Sequence, residues 1–118
     1  MAKLETNFWK AVKNNLTDFQ WVRLESLATK GVPDLMGFTK GGQIFTIELK
    51  VTKSRAVYFS PHQIAFHVEH QNSPCFILVK RVFDKVPRKS EVYLYHAEQV
   101  RQIVAQGLDA PARYSTLS

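Results

Sequence analysis

The stretch from Ile44 to Val82 constrains the fold more than any other part of the chain. Residues 44–51 alternate, with every odd position apolar, which is typical of a strand with one face in the core. Ser60-Pro61-His62-Gln63 then combines a serine N-cap, an early proline and a glutamine at N3, the pattern of a helix-starting capping box. The apolar run from Cys75 predicts a strand over 75–82 that is buried on both faces. This order predicts two parallel strands joined by a right-handed crossover.

The rest of the chain adds helices and strands around this unit. Helical spacing of apolar residues and alternation of apolar and polar residues separate the two kinds of element. Helices are expected over 4–16 and 98–106, and strands over 19–27, 35–39 and 91–95. The sequence therefore predicts one α/β domain with a central mixed β-sheet flanked by helices. This domain is expected over residues 1–106, and residues 107–118 are expected to form a loose C-terminal tail.

Composition limits the class of protein and its partners. The chain has 118 residues, 45% of them hydrophobic, which is enough for one domain with a core. Sixteen Lys and Arg against ten Asp and Glu give a net charge of +6, so a polyanionic partner is expected. A single cysteine excludes an internal disulfide. With no long apolar run and no secretory signal, we expect a cytoplasmic protein without membrane contact, in the host cytoplasm if a phage encodes it.

Three ionisable side chains stand at positions suited to phosphodiester chemistry. Glu48 and Lys50 are two residues apart in a predicted strand, so they share one face, about 6.5–7 Å apart. Asp34 precedes the neighbouring strand. Carboxylate oxygens suit Mg²⁺, which neutralises phosphate charge and generates hydroxide near neutral pH. A nearby ammonium can stabilise charge on the phosphorus. Together they predict a site for metal-dependent hydrolysis.

The turn between the two strands decides whether Asp34 reaches Glu48. A two-residue turn within residues 40–43 would place Asp34 opposite Leu49, on the wrong face of the sheet. A three-residue loop, with a glycine in a left-handed bulge, would place it opposite Glu48 or Lys50. A distortion beside the preceding proline would have the same effect. The chemistry therefore predicts a particular turn.

Three motifs in order carry a family resemblance: Gly31-Val32-Pro33-Asp34-Leu35, Ile47-Glu48-Leu49-Lys50 and Ser60-Pro61-His62-Gln63. They resemble the PD-(D/E)XK nuclease superfamily, and within it the virus-type replication-repair nuclease (VRR-Nuc) group, to which archaeal-type Holliday-junction resolvases are related. The resemblance covers about residues 5–82. It implies a restriction-endonuclease-like fold and a Mg²⁺-dependent DNA endonuclease of repair or recombination, for which Mn²⁺ would substitute.

The resemblance also implies a role for each matching position. Asp34 and Glu48 match the metal-binding acids, with the backbone carbonyl of Leu49 as a further ligand. Lys50 matches the catalytic lysine. Gln63 matches a glutamine that supports the catalytic site at the start of the following helix.

Glu5 and the expected partners complete what the resemblance implies. Glu5, on the first helix, matches an acid that faces the metal cluster, as a catalytic residue and a further ligand. Small stand-alone members of the group resemble junction resolvases that act as dimers on branched DNA. The implied partners are therefore branched or four-way DNA and a second copy of the chain.

Each of these residues also has an ordinary structural explanation. An aspartate after a proline, as at Asp34, commonly forms turns. Glu48 and Lys50 could form a solvated face or a weak ion pair. The capping box alone explains Gln63, and a glutamate in the first turn of a helix, such as Glu5, complements the helix dipole. Both explanations stay open for each residue at this point.

Basic residues cluster in the loops beside the predicted site, where we expect them to bind DNA phosphates rather than only to solubilise the protein. They are Lys53, Arg55, Lys80, Arg81, Lys85, Arg88 and Lys89. Tyr58 and Phe59, in one of these loops, are candidates for stacking on bases. His67 and His70 lack a further His or Cys cluster, so we expect solvated or capping residues.

Two alternatives to a junction-selective endonuclease remain open. The first is a nuclease that acts on flaps, ends or duplex DNA. The second is a non-catalytic nucleic-acid-binding module with the same fold.

Overall fold

One six-stranded sheet with three helices makes up the described part of the chain, which in the computed structural model comprises residues 3–24, 30–86 and 89–117. The helices are α1 (Lys3–Asn15), α2 (Pro61–Glu69) and α3 (Val100–Gln106), with 3-10 turns at Ala97–Gln99 and Gly107–Asp109. The strands are β1 (Gln20–Arg23), β2 (Leu35–Phe38), β3 (Ile44–Thr52), β4 (Cys75–Val82), β5 (Ser90–His96) and β6 (Tyr114–Leu117). The sheet follows chain order, and β3–β4 is its parallel pair within these ranges. The predicted α/β class with a mixed sheet is confirmed.

The β3–α2–β4 unit forms with its two strands parallel, as the sequence predicts. The two strands pair in parallel from Thr46–Cys75 to Thr52–Arg81. Ser60 caps α2 with both hydrogen bonds of the capping box: Ser60 Oγ accepts the N–H of Gln63 at 3.2 Å, and Gln63 Oε1 accepts the N–H of Ser60 at 3.0 Å. The capping box supplies acceptors for backbone N–H groups at the start of the helix. This local motif therefore determines where α2 begins.

The loop of the β2–β3 hairpin contains three residues, 40–42. The backbone N–H of Thr39 donates to the carbonyl of Gln43 at 2.9 Å and closes the loop. Gly42 has φ of +83°, in the left-handed region that glycine adopts without steric cost. This is the longer turn with a left-handed glycine that the predicted chemistry requires.

The hairpin register follows from this loop. Leu35 lies opposite Ile47. Continuing the register by one residue brings Asp34 opposite Glu48 and not opposite Leu49. Since side chains of neighbouring strands at one register position share a face, the two acids project from the same side of the sheet.

The sheet carries a core on each face. On one face, Phe8 and Val12 of α1 pack with residues of β2 and β3, namely Leu35, Ile47 and Leu49. On the other face, α2, α3 and the segments beside them cover residues of β4 and β5, including Ile77, Val79, Tyr93 and Tyr95. The even-numbered residues of β3, including Glu48 and Lys50, therefore face α2.

An apolar groove of about 670 Å³ remains on the α1 face, beyond the end of that helix. Its lining residues include Leu16, Phe19, Trp21, Phe45, Phe76 and Leu94, together with the uncharged polar residues Thr39 and Gln43. The prediction that β4 is buried on both faces is wrong on this side. Phe76 and Leu78 stay half-buried because they line the open groove.

Residues 107–117 do not form the loose tail that the sequence predicts. Leu108 and Ala110 are buried in the core, and the hydroxyl of Tyr95 donates to the carbonyl of Ala110 at 2.9 Å. After them, β6 pairs antiparallel with β5. The prediction fails because the partners of this segment lie in other elements, so no local pattern signals them.

The other predicted boundaries of helices and strands differ from the observed ones by a few residues. The last helix is expected from Glu98, but a 3-10 turn occupies 97–99 and α3 begins at Val100. The strand predicted over 19–27 is seen as Gln20–Arg23, and its residues 25–27 lie outside the described residues. Throughout the described ranges, no helix has the length and apolar character needed to cross a bilayer.

Candidate active site

A pair of carboxyl groups, on Asp34 and Glu48, lies where β2 begins beside β3. Asp34 Oδ2 accepts a 2.8 Å hydrogen bond from the backbone N–H of Leu49, which holds the aspartate against β3. Asp34 is also an electrostatic neighbour of Glu48 and raises the pKa of that carboxyl. The structure thus brings together the two acids that the sequence nominates as metal ligands.

Glu48 is the most deeply buried member of the site. Its exposed fraction is 2%, and its Oε1 has no hydrogen-bond partner. Burial, and then the hydrogen bond and negative charge of Asp34, raise the pKa of Glu48 to about 10, while the charge of Lys50 lowers it. Two carboxyl groups this close cannot both ionise without a positive neighbour. The pair is therefore suited to share a cation or a proton.

Lys50 reaches the start of α2 from β3. Its Nζ donates a 2.7 Å hydrogen bond to Gln63 Oε1, the same oxygen that accepts the N–H of Ser60. The Nζ also lies 4.8 Å from the ring centroid of Phe59, a distance at which a cation–π interaction is favourable. Gln63 therefore both caps α2 and holds the ammonium of Lys50, and its support of a catalytic site stays a prediction.

Glu5, near the start of α1, is half-buried beside the carboxyl pair. Burial and the charge of Asp34 raise the pKa of Glu5, whereas the charge of Lys50 lowers it. Its electrostatic neighbours are therefore the residues of the candidate site. No group of three or more His, Cys, Asp and Glu that could hold a metal ion is found within the described ranges. The role of Glu5 as a catalytic residue and a further ligand stays a prediction.

The side chains at the carboxyl pair fit a hard divalent cation. Asp34 and Glu48 offer carboxylate oxygens, and Glu48 Oε1 is a buried acceptor without a donor, which is unfavourable unless something binds it. Mg²⁺ binds through one or two carboxylates and keeps several waters. The carbonyl of Leu49 as a ligand stays a prediction.

The basic residues cluster toward the edge where β3 and β4 end, and several of them already have partners. Lys53 Nζ lies 3.2 Å from Asp84, and Arg81 lies 3.5 Å from Glu91. The exposed Lys53–Asp84 pair contributes little stability and can exchange for a phosphate contact, whereas the Arg81–Glu91 pair is half-buried. The DNA-binding role of these residues stays a prediction.

Arg55 is the most engaged of the basic residues. It donates from Nε to Asp109 at 2.8 Å and from Nη2 to the carbonyl of Leu108 at 2.9 Å. Lys80 and Lys89 lie near the rings of Phe8 and Phe83, with Nζ 5.8 Å and 4.8 Å from the centroids. Lys85 is exposed. The remaining residue of the set, Arg88, lies outside the described residues.

His67 is a buried residue of the site region that sequence reasoning missed. It is fully buried, not solvated, with Nδ1 2.8 Å from the carbonyl of Gln63 and no partner at Nε2. Burial lowers the pKa of His67, and the charge of Lys50 lowers it further. Its position one helical turn after Gln63, on the side of α2 that faces the sheet, is the signal that could have identified it.

Comparison with known proteins assigns no family to the chain. No family model matches it, and no curated protein is significantly similar to it.

Proposed function

We propose that the protein is a metal-dependent DNA endonuclease of the PD-(D/E)XK type, with a restriction-endonuclease-like fold. One observation carries the proposal: buried Glu48, with a free carboxylate oxygen, and half-buried Asp34 lie beside a lysine whose ammonium is fixed by Gln63. A structural ion pair would direct Lys50 to the acids themselves. Here its hydrogen bond is made to a neutral amide.

Each side chain has a distinct task in this proposal. Asp34, Glu48 and the carbonyl of Leu49 would hold Mg²⁺, and Mn²⁺ would substitute. The bound cation supplies neutralisation of phosphate charge and activation of water near neutral pH. Lys50, held by Gln63, donates hydrogen bonds to the phosphate oxygen that gains charge in the transition state. Glu5 adds negative charge beside the carboxyl pair.

DNA with a branch is the proposed substrate class. The net charge of +6 and the lysines and arginines near the ends of β3 and β4 favour a polyanion, through contacts that carry no sequence information. The preference for branched over linear DNA rests on the resemblance to junction resolvases. Flaps, ends and linear duplex are the competing substrates.

A nicking assay on four-way, flap and linear DNA, with and without Mg²⁺, tests the proposal. We expect cleavage only with Mg²⁺ or Mn²⁺, and fastest on four-way DNA. Asp34→Asn, Glu48→Gln and Lys50→Ala should each reduce cleavage by about 100-fold or more while DNA binding persists. The controls Glu69→Gln and Lys40→Ala change the charge of exposed residues elsewhere and should keep full activity.

Two results would contradict the proposal. Retained cleavage by all three site variants would remove these residues from catalysis. DNA binding that is unaffected by Mg²⁺, with no nicking under any metal, would instead favour the non-catalytic nucleic-acid-binding module.

A homodimer is the proposed assembly, with a second copy seated on the apolar groove of the α1 face. A four-way junction has two-fold symmetry, and paired incisions call for two sites related by a two-fold axis. The lining residues of the groove carry no charge, so two chains of net charge +6 meet there with little repulsion. This contact would leave the carboxyl pair free on the opposite face.

Sedimentation velocity tests the dimer. Ile44 lines the groove and is half-exposed, so Ile44→Lys should shift the protein to monomer without unfolding it. Val104→Lys is the matched control, because this residue of α3 is equally exposed on the other face. A wild-type protein that is monomeric at assay concentrations yet makes paired cuts would overturn the assembly.

A further inference from the structure

Tyr58 is held in an exposed position within the loop that joins the two halves of the candidate site. This loop, residues 53–60, follows the strand of Lys50 and leads to the helix of Gln63. The exposed fraction of Tyr58 is 79%, the largest among the exposed hydrophobic side chains of the described residues. Its neighbours Val57 and Phe59 are buried at 8% and 5%. The loop therefore anchors on both sides of Tyr58 and directs its ring to solvent.

The first half of the loop is ordered by its own hydrogen bonds. Thr52 Oγ1 accepts the N–H of Ser54 at 3.2 Å and donates to the carbonyl of Ala56 at 2.8 Å. Ser54 Oγ in turn accepts the N–H of Ala56 at 3.2 Å. These bonds already restrict the loop. It therefore loses less conformational entropy when Tyr58 binds a ligand.

The same loop is fixed to the C-terminal part of the domain. The carbonyl of Arg55 accepts the N–H of Leu108 at 2.7 Å. The close approach depends on Gly107, because a Cβ added there would lie 2.1 Å from that carbonyl oxygen. A loop with contacts at Arg55, Val57 and Phe59 holds the backbone of Tyr58 in a fixed place.

Tyr58 also lies close to the proposed chemistry. The Phe59 ring contacts the ammonium of Lys50 at 4.8 Å from its centroid, and adjacent Cα atoms are about 3.8 Å apart. The backbone of Tyr58 is thus one residue from a side chain that contacts Lys50, which places Tyr58 at the rim of the candidate site. Single exposed hydrophobic residues are common and need no function. A backbone anchored on both sides, next to a residue that contacts Lys50, is what distinguishes this one.

An unstacked nucleobase is the ligand that fits an exposed aromatic ring on an anchored loop at the rim of the proposed phosphate site. Bases stack on aromatic side chains regardless of sequence. In a continuous duplex every base already stacks on its neighbours, whereas a branch point or a single strand offers free base faces. Stacking on Tyr58 would therefore favour DNA with unpaired bases next to the cleaved phosphate.

We propose that Tyr58 is a base-stacking residue that binds an unstacked nucleobase and selects branched or single-stranded DNA over continuous duplex. The inference rests on the proposed nuclease function and deepens it, because it names the residue that recognises the substrate. It assigns Tyr58 to binding and leaves the carboxyl pair and Lys50 to the reaction.

A binding experiment without divalent cations tests Tyr58 independently of cleavage. The probe is DNA with a single unpaired 2-aminopurine, whose fluorescence falls on stacking, in buffer with EDTA. Wild type and Tyr58→Phe should quench the probe, and Tyr58→Ala should not, with binding about 10-fold weaker. Continuous duplex with a paired 2-aminopurine should bind all three proteins equally.

Tyr114→Ala is the matched control, since Tyr114 is also exposed, at 62%, but lies on the edge strand β6. Equal quenching by wild type and Tyr58→Ala, or an equal loss in Tyr114→Ala, would overturn the proposal. Quenching that depends on Tyr58 in a protein that never cleaves DNA with Mg²⁺ would support the stacking site and overturn the nuclease. Cleavage by Tyr58→Ala with unchanged preference for branched DNA would overturn the stacking site and leave the nuclease.

Discussion

Gln63 Oε1 accepts hydrogen bonds from both the ammonium of Lys50, at 2.7 Å, and the backbone N–H of Ser60, at 3.0 Å. One amide oxygen thus joins the cap of α2 to the lysine of β3. The capping box alone explains Gln63, yet the same side chain also contacts Lys50 of the candidate site. The relationship couples what the cap contributes to stability with what the lysine contact is proposed to contribute to activity.

Replacing Gln63 should therefore affect stability and activity together. Gln63→Leu removes the acceptor of both bonds, so the fold should lose about 1 kcal/mol and cleavage should fall by about 10-fold or more. Gln99→Leu is the matched control, because Gln99 Oε1 accepts the N–H of His96 in a second capping box away from the site. It should lose comparable stability with unchanged cleavage, measured by thermal unfolding and a nicking assay. Equal activity losses in both variants would contradict a positioning role.

Glu48 should make the stability of the cation-free protein depend on pH. Its pKa is about 10 in the folded protein and near 4.5 when unfolded, so between these values the folded state keeps a proton that the unfolded state releases. Stability must therefore fall as pH rises through this window. In EDTA at pH 8, Glu48→Gln should be more stable than wild type by at least about 1 kcal/mol, a few degrees in Tm.

The difference should vanish near pH 4, where both states of the wild type are protonated at Glu48. Thermal unfolding of wild type, Glu48→Gln and the exposed control Glu69→Gln across this range gives the measurement. If the Tm values of wild type and Glu48→Gln change in parallel with pH, the pKa of Glu48 is not raised in the folded protein.

Gly42 should tolerate substitution less well than its neighbour Gly41. Its φ of +83° is unfavourable for a residue with a Cβ, although nothing lies within 4 Å of a Cβ placed there. Gly42→Ala should therefore cost about 1 kcal/mol through the backbone alone, and Gly41→Ala close to zero. Urea unfolding measures both. A neutral Gly42→Ala would mean that the loop can change its conformation without cost.

The exposed lysines beside the site should set the salt dependence of DNA binding. Lys85 is exposed, so Lys85→Ala should weaken binding equally for branched and linear DNA and reduce the salt slope by about one. Lys40→Ala, in the β2–β3 loop, is the control. Fluorescence anisotropy at several salt concentrations gives both slopes. An unchanged slope for Lys85→Ala would exclude a phosphate contact at this residue.

The parts of the fold that the sequence predicts are those with a local signal. The strand over 44–51, the Ser60 cap and the apolar run from Cys75 each carry their own pattern, and the parallel pairing follows from their order. The Asp34–Glu48 register depends on one residue of loop length, and only the assumed chemistry selected it. Burial of Glu48 and of His67 depends on α2 packing over the sheet, which no local pattern reports.

The C-terminal segment illustrates the opposite case. Residues 107–117 have no strong periodicity, and their stabilising contacts come from β5 and the loop over 53–60. Leu108 and Ala110 become core residues only once these partners are in place. Pairing between distant elements is the information that a single sequence carries least clearly.

Because Gly107 has no side chain, the C-terminal part of the domain can contact the loop over 53–60 at the rim of the candidate site. Because the carbonyl of Arg55 occupies the space that a methyl group would need, even an alanine at position 107 would push on the loop that holds Tyr58. Under the proposed functions of Tyr58 and of the carboxyl pair, a substitution far from the acids in sequence would then alter which DNA shapes are accepted while leaving bond cleavage itself intact. Variation at this glycine is therefore a route by which related chains could diverge in substrate choice.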